Sequence, residues 1–421
     1  MNDKPPQPSR WLLPALSLAM LLPSLDTSIA NVALPALAES WGTSFGEVRW
    51  IVLAYLLALT GIIVAAGRLG DRFGRRRVLA GGVVLFTASA LLSGLAQSLP
   101  LLIASRTLEG VGAAVMIALS MALAMDAVPE ARTGRALGLL GSMSAVGTTL
   151  GPSLGGLLIA GFGWRAIFLF MVPLGIVTLL LVMRGLPSDP PEKGRPRDKE
   201  AFRTVLRALL ADRGLAAGLT LSTIVANVMM ATLIVGPFYL SQGLALGPAQ
   251  VGLAMSAGPF AAALAGLPAG RLVDRLGTNR VALLGLVGMT AGLLALALLP
   301  ESFGVGGYIA GIAVVTVHYA LFQTANNSGV MVQVPPGRRG TVSGMLSLSR
   351  NLGLIAGAFA MGGIFACASS ALGVAAGMRT TFAVAALLVM IALAVATLEA
   401  ARAAMLTGRR WSWQSGRPER V

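Results

Sequence analysis

Gly67-Arg-Leu-Gly-Asp-Arg-Phe-Gly-Arg-Arg-Arg-Val78 recurs as Gly270-Arg-Leu-Val-Asp-Arg-Leu-Gly-Thr-Asn-Arg-Val281, identical at eight of twelve positions. Each copy is a short basic break between two long apolar runs. A second pair of segments keeps nearly the same distance. Val128-Pro129, Arg132, Gly134, Gly138, Gly147, Gly151 and Gly156 return as Val334-Pro335, Arg338, Gly340, Gly344, Gly353, Gly357 and Gly362. The offsets are 203 and 206 residues. Two matches held in register mean two halves on one plan, inserted in the same orientation, as in secondary transporters with parallel repeats.

Outward from these breaks the chain divides into apolar stretches of the length a membrane helix needs, roughly 20 residues. Twelve are found, at approximately 11–36, 48–66, 78–97, 100–125, 136–160, 164–183, 215–240, 249–269, 281–300, 304–332, 342–366 and 378–400. They are continuously apolar, which fits helices and not the alternating strands of a β-barrel. The gaps carry Gly, Pro and charge, which stop helices. The only long polar gap, 184–213, holds Pro187, Pro190, Pro191, Pro196 and mixed charges, and predicts a linker with an amphipathic helix near 200–211. The expected organisation is an N-terminal six-helix bundle over 1–183, a cytoplasmic linker over 184–213, a C-terminal six-helix bundle over 214–400 and a cytoplasmic tail over 401–421. This is an all-α polytopic membrane protein with twelve transmembrane helices in two pseudo-symmetric bundles. Ala36-Leu37-Ala38 resembles a signal-peptide cleavage site. The apolar run before it is too long for one and is interrupted by Asp26, so the segment reads as a retained first span.

Composition agrees. Of 421 residues, 56% are hydrophobic and 12% are charged, about half the charged share of a soluble domain. Such a chain is not disordered. One cysteine excludes a disulfide scaffold, and one histidine beside it leaves no metal site built from those ligands. The net charge of +15 is topological: with the N-terminus inside, the cytoplasmic segments receive 27 of the 32 Lys and Arg. The opposite side has only Arg49, Arg165 and Arg379, while Arg106 and Arg350 fall inside spans. That asymmetry places both termini in the cytoplasm and needs no nucleic-acid partner. There is no phosphate loop, no Ser-x-x-Lys and no Gly-x-Ser-x-Gly. Neither an enzyme nor ATP-driven transport is expected, and no cofactor.

At these motifs the sequence resembles the major facilitator superfamily over nearly its whole length. Gly67 to Arg77 resembles the signature between helices 2 and 3. Arg106-Thr-Leu-Glu109-Gly110-Val-Gly112 resembles that of helix 4, with Glu109 where Gln is usual. Gly147-Thr-Thr-Leu-Gly151-Pro152-Ser-Leu-Gly155-Gly156 resembles the helix 5 signature of antiporters. Leu25-Asp26 through Asn31 to Pro35 resembles the helix 1 signature of drug:proton antiporters, especially the branch that usually has fourteen helices. Phe322-Gln-Thr-Ala-Asn326-Asn327 and Ser349-Arg350-Asn351-Leu-Gly353 are similar to the same branch. Twelve spans mean that its extra central pair is missing.

The resemblance implies a gate formed by Gly67, Asp71, Arg72, Gly74 and Arg75, repeated by Asp274 and Arg275. It locks the halves in one state and releases them in another. The bland alternative is that these arginines only anchor the inner face. The resemblance also implies that helix 5 forms an interface between the halves that seals against proton leak. Physically, Gly147, Gly151 and Gly155 recur once per turn and clear one face for a neighbouring helix, and Pro152 adds a bend. Asp26 is the most informative residue, because a charge in the hydrocarbon region costs several kcal/mol and needs a partner, water or a proton. It lies about 15 Å from the far end of the first span, and Glu109 is at similar depth in the fourth. In this family helices 1, 4, 7 and 10 line a central cavity, so Asp26, Arg106 and Glu109 are expected to face each other across it. Burial opposes charge on a carboxylate while a nearby arginine favours it, and a group so balanced exchanges protons. Proton coupling is therefore assigned to Asp26, Arg106 and Glu109; the alternative is an i, i+3 pair that only stabilises helix 4. Asn31, Met116, Asn227, Gln323, Asn326 and Asn327 are assigned to the substrate cavity, the methionines alternatively filling packing gaps. His318 lies off the polar stripe and is read as a hydrogen-bonded helix residue.

The function expected is a proton-coupled efflux antiporter for lipophilic, cationic drugs, working by alternating access. The alternative is a major facilitator importer of a sugar, organic acid or other metabolite; a non-transporting receptor or scaffold comes third. The partners expected are a small-molecule substrate, protons and the lipid bilayer. The expected form is a monomer in a bacterial inner membrane, which the lack of a targeting extension suits.

Overall fold

The computed structural model describes residues 11–127, 130–186, 213–332, 334 and 339–414. Within them the chain is helical from end to end, with no strand. An apolar solvent gives the backbone no other partner, so each span must satisfy its own N–H and C=O groups.

The first half contains α1 (Leu12–Trp41), a one-turn helix Phe45–Val48, α2 (Trp50–Phe73), α3 (Arg75–Gly94), α4 (Leu99–Ala127), α5 (Glu130–Phe162) and α6 (Arg165–Gly185). The second begins with α7 (Arg213–Phe238), continued by a π-helical turn Tyr239–Gly243, and α8 (Pro248–Leu276). A helical segment then runs over Thr278–Val332, 55 residues, or ~80 Å at 1.5 Å per residue, far more than one bilayer core. Gly304 breaks it with φ 54° and ψ −131°, leaving α9 (278–303) and α10 (305–332). The chain closes with α11 (Arg339–Leu372) and α12 (Val374–Gln414). Among the described residues, eleven helices are long and apolar enough to cross a membrane, and the break at Gly304 makes twelve crossings of them. α12 continues to Gln414, past the expected end of the last span at 400. Of the expected linker, 187–212 lies outside the described residues, as do the amphipathic helix near 200–211 and the chain end beyond 414.

The repeated motif has a local cause. A single residue, Gly74, separates α2 from α3, with φ 95°. A single residue, Gly277, separates α8 from the following helix, with φ 83°. Only glycine takes such a conformation without steric cost, which explains its identity in both copies. Two long helices thereby reverse over one residue.

Packing repeats as well. α5 lies along α1 and α11 lies along α7. A Cβ at Gly147 would stand 2.7 Å from the Leu21 carbonyl oxygen, and one at Gly353 would stand 2.3 Å from that of Thr223. Hydroxyls tie both pairs: Ser24 Oγ to Ser144 Oγ at 2.6 Å, and Thr223 Oγ1 to Ser349 Oγ at 2.8 Å. The halves then meet reciprocally, α5 on α8 and α11 on α2. Both meetings are tight near the Trp41 end. A Cβ at Gly156 would lie 2.9 Å from Gly252 Cα, and Trp50 packs edge-on against Phe359 at 5.4 Å. Toward the Gly74 end of the same helices, Gly138, Gly141, Gly266, Gly270, Gly61, Gly67 and Gly344 face open space. Among the described residues, the cleft between the halves is closed at the Trp41 end and opens at the Gly74 end.

Candidate coupling site and its surroundings

Asp26 occupies the middle of α1, a helix of 30 residues, and Glu109 lies about 15 Å into α4 from Leu99 at 1.5 Å per residue. Arg106 joins them. Its Nη1 donates to Asp26 Oδ1 at 2.9 Å, to Asp26 Oδ2 at 2.7 Å and to Glu109 Oε2 at 2.8 Å. The bond to Glu109 runs along α4, and the bonds to Asp26 cross to α1. Asp26 is 2% exposed, Arg106 1% and Glu109 0%.

Aromatic faces cover the guanidinium. Its carbon stands 4.4 Å from the Tyr55 ring centroid and 5.5 Å from that of Phe168, close enough for the ring quadrupoles to favour the cation. The Tyr55 hydroxyl donates to the Pro23 carbonyl at 3.3 Å, and so does Thr27 Oγ1 at 2.8 Å. The glycines of the helix 4 motif make this enclosure possible. A Cβ at Gly110 would stand 2.4 Å from the Tyr55 carbonyl oxygen, and one at Gly112 would stand 2.7 Å from Phe86 N. α2 and α3 can therefore press onto α4. From α3, Ser93 Oγ lies 3.4 Å from Glu109 Oε2 and 2.8 Å from Ser105 Oγ. Among the described residues, Glu109 Oε1 and Arg106 Nε are buried without a partner.

The three residues expected across the central cavity thus meet, but inside the N-terminal bundle. Every contact described around them comes from α1, α2, α3, α4 or α6. The glycine-permitted closeness of α2 and α4 roofs them over.

The remaining assigned residues are distributed as follows. Asp71 is exposed in the last turn of α2 and accepts from Arg75 Nη2 at 2.8 Å and Nε at 3.1 Å. Arg76 donates to the Met183 carbonyl of α6. Arg72 lies over the neighbouring Phe73 ring at 5.2 Å. Asp274 and Arg275 are exposed in the last turn of α8. The helix 5 motif is divided. Gly147, Gly151 and Gly155 face α1 within their own half, while Gly156 faces Gly252 of α8 across the halves. The Pro152 carbonyl oxygen also faces Gly252, 2.3 Å from where its Cβ would be.

Among the cavity assignments, Met116 is enclosed in the core at 0% exposure. Asn326 Nδ2 donates to the Gly218 carbonyl of α7 at 3.2 Å. Asn31, Asn227 and Asn327 each hold a buried amide oxygen with no partner among the described residues, and Gln323 is half-buried. His318 Nδ1 lies 2.8 Å from the Val314 carbonyl oxygen, and the ring fills the space a Cβ at Gly288 would need. Tyr55, Phe168 and Ser93 were not singled out by the sequence. Each sits inside an apolar run with nothing in its local pattern to mark it.

Twelve crossings in two repeated halves around a one-sided cleft, with an ionic cluster buried at mid-span, define a secondary transporter. The chain belongs to the Major Facilitator Superfamily, whose pattern matches residues 16–358. It is therefore a transporter and not an enzyme, a multi-pass membrane protein that handles small molecules. It is 30% identical over 410 residues to the multidrug resistance protein Stp of Mycobacterium tuberculosis, covering 85% of this chain and 76% of that one. It is 27% identical over 402 residues to the riboflavin transporter RibZ of Clostridioides difficile, covering 85% and 87%. The fold is that of a bacterial homologue of the human lysosomal transporter Spinster in an inward-facing, unoccupied conformation, with TM-score 0.78 at 18% identity, covering 94% and 97% of the two chains.

Proposed function

We propose that the protein is a proton-coupled efflux antiporter for lipophilic, cationic drugs or related small molecules, working by alternating access. One observation carries the reading: a single guanidinium lies between two carboxylates at mid-span, and all three are buried. If both acids ionise, one negative charge is left over, which costs several kcal/mol away from water. One proton balances the cluster. A site that is neutral with one proton and strained without it can exchange that proton for a cation elsewhere in the molecule. Asp26 and Glu109 hold the proton, and Arg106 orients both. Similarity to Stp supports drugs as the cargo, and the Gly151-Pro152 motif supports antiport.

With both termini in the cytoplasm of a bacterial inner membrane, the Gly74 end faces inward. The cleft is then inward-open, and substrate enters from the cytoplasm or inner leaflet. Asn31, Asn227, Gln323, Asn326 and Asn327 supply polar contacts for it, and Met116 supports them from behind. Gly67, Asp71, Arg72, Gly74 and Arg75, with Asp274 and Arg275, form the gate between the halves. The monomer is the working unit.

Everted membrane vesicles test the proposal with ethidium as probe. Ethidium should dissipate a preformed proton gradient with the wild-type protein and leave it intact with Asp26→Asn. Uptake of ethidium by Asp26→Asn that still consumes the gradient would remove Asp26 from coupling. A gradient untouched by the wild type would favour a metabolite importer.

A further inference from the structure

Glu109 is linked to two hydroxyls that the coupling cycle above does not use. Ser93 is the penultimate residue of α3, and Ser105 lies one turn before Glu109 on α4. They are 0% and 2% exposed. Ser93 Oγ stands between Glu109 Oε2 at 3.4 Å and Ser105 Oγ at 2.8 Å, and Ser105 Oγ reaches the Leu102 carbonyl at 2.8 Å.

A hydroxyl has one hydrogen and can accept, so the chain has two self-consistent directions. With Glu109 protonated, its O–H donates to Ser93, Ser93 to Ser105, and Ser105 to the Leu102 carbonyl. With Glu109 ionised, Ser105 donates to Ser93 and Ser93 to the carboxylate. Both protonation states are satisfied on this side by the same atoms. Protonation of Glu109 balances when Ser93 passes its hydrogen to the carboxylate, Ser105 passes its own to Ser93, and a hydronium ion arriving from the outer side replaces the one that Ser105 gave; turning both hydroxyls resets the chain.

We propose that Ser93 and Ser105 relay the proton between Glu109 and the 95–98 connection at the end of the bundle opposite the cleft opening. The inference rests on the reading of Glu109 as a proton-holding group. The connection contains exposed Gln97 and Ser98. In the same connection Ala96 is 0% exposed, and Arg165 Nη2 donates to its carbonyl at 3.2 Å. On this proposal, movement of that connection admits the proton to Ser105. The charged and titratable groups facing Glu109 are Arg106 on α4, Asp26 on α1 and Tyr55 on α2; α3 contributes only hydroxyls, and α6 contributes the Phe168 ring. A relay on α3 therefore adds no competing charge.

The full chain in lipid nanodiscs tests this without a substrate. The carboxylic C=O stretch of Glu109 is identified by its loss in Glu109→Gln and followed in time by infrared spectroscopy after a drop in pH. In the wild type the band should rise promptly. In Ser93→Ala with Ser105→Ala it should rise about a hundredfold more slowly, the lower end of what a positioned proton-transfer group contributes. Ser93→Thr, which keeps the hydroxyl, should restore the rate and shows that folding is intact. Equal rates in the wild type and the double variant would overturn the relay alone and leave the serines as a helix-to-helix contact. No Glu109 band in the wild type at any pH would overturn the assignment of Glu109 as a proton site, and the relay with it.

Discussion

Arg49, in the N-terminal half, donates through Nη1 to the backbone carbonyl of Phe359 in the C-terminal half at 3.3 Å. Its guanidinium also lies over the Phe359 ring, 6.0 Å from the centroid. Nearby, Phe45 packs edge-on against Phe238 at 4.7 Å and against Phe365 at 4.9 Å. Beside the α5–α8 crossing, the closed end is therefore held, among the described residues, by one charged hydrogen bond and a few aromatic edges, all of which can part without disturbing either bundle. Arg49→Ala should weaken this closure by about 1.5–3 kcal/mol, the worth of a hydrogen bond to a charged group. Pulsed dipolar spectroscopy between spin labels at Glu39 and Gln242 should show a new, longer distance.

The two uses of small residues on α5 should separate experimentally. Gly147→Ala places a methyl 2.7 Å from the Leu21 carbonyl oxygen inside one half and should lower the melting temperature, by the roughly 1–3 kcal/mol of an overpacked core. Gly156→Ala places a methyl 2.5 Å from the Pro248 carbonyl oxygen across the halves. It should leave the melting temperature nearly unchanged while the same spin-label pair moves apart. If both variants melt early, the α5–α8 crossing is part of the rigid core and not a separable contact.

Removing the buried cation should be worse than removing either acid. Arg106→Leu leaves two carboxylates with 2% exposure or less and no counter-charge, a loss of about 3–5 kcal/mol for a broken buried pair. Arg106→Leu combined with Asp26→Asn should recover much of that loss. Thermal unfolding in detergent measures both. An additive double variant would show that Asp26 and Arg106 do not depend on each other.

The one-residue reversal at Gly74 makes a backbone prediction. Gly74→Ala forces an L-residue to φ 95° and should cost about 1–3 kcal/mol. Gly277→Ala, at φ 83°, should cost about as much, because the two reversals are copies. Hydrogen exchange should report the damage as faster exchange in the last turns of α2 and α8. Protection at the α1–α5 contact should be unchanged.

Much of the fold was readable because the bilayer simplifies the code. Apolar length announces each span, and glycine with charge announces each break, so even the Gly304 break fell at an expected boundary. The repeat exposed the symmetry that Gly74 and Gly277 express in backbone angles. Asp26, Arg106 and Glu109 stood out because charge is costly among apolar neighbours. What surrounds them was not readable. Tyr55 and Phe168 are ordinary members of apolar runs, and only the approach of α2 and α6 to α4 brings their rings over Arg106. Likewise, the equal spacing of Gly147, Gly151 and Gly155 shows a cleared helix face but not which neighbour fills it. Period gives direction around a helix axis, while the identity of the partner depends on the packing of all twelve.

The placement of the three charges within one bundle has a mechanical consequence. When two rigid bodies rock so that the Gly156–Gly252 and Arg49–Phe359 contacts part, no distance inside either body changes. A complete swing of the halves therefore leaves the number of protons in the cluster untouched. On the proposed coupling, proton traffic has to be admitted by a change of shape within the first bundle, where α1 carries Pro23 and Pro35 in mid-helix. The swing and the proton are then two separate events, timed by how far one helix bends.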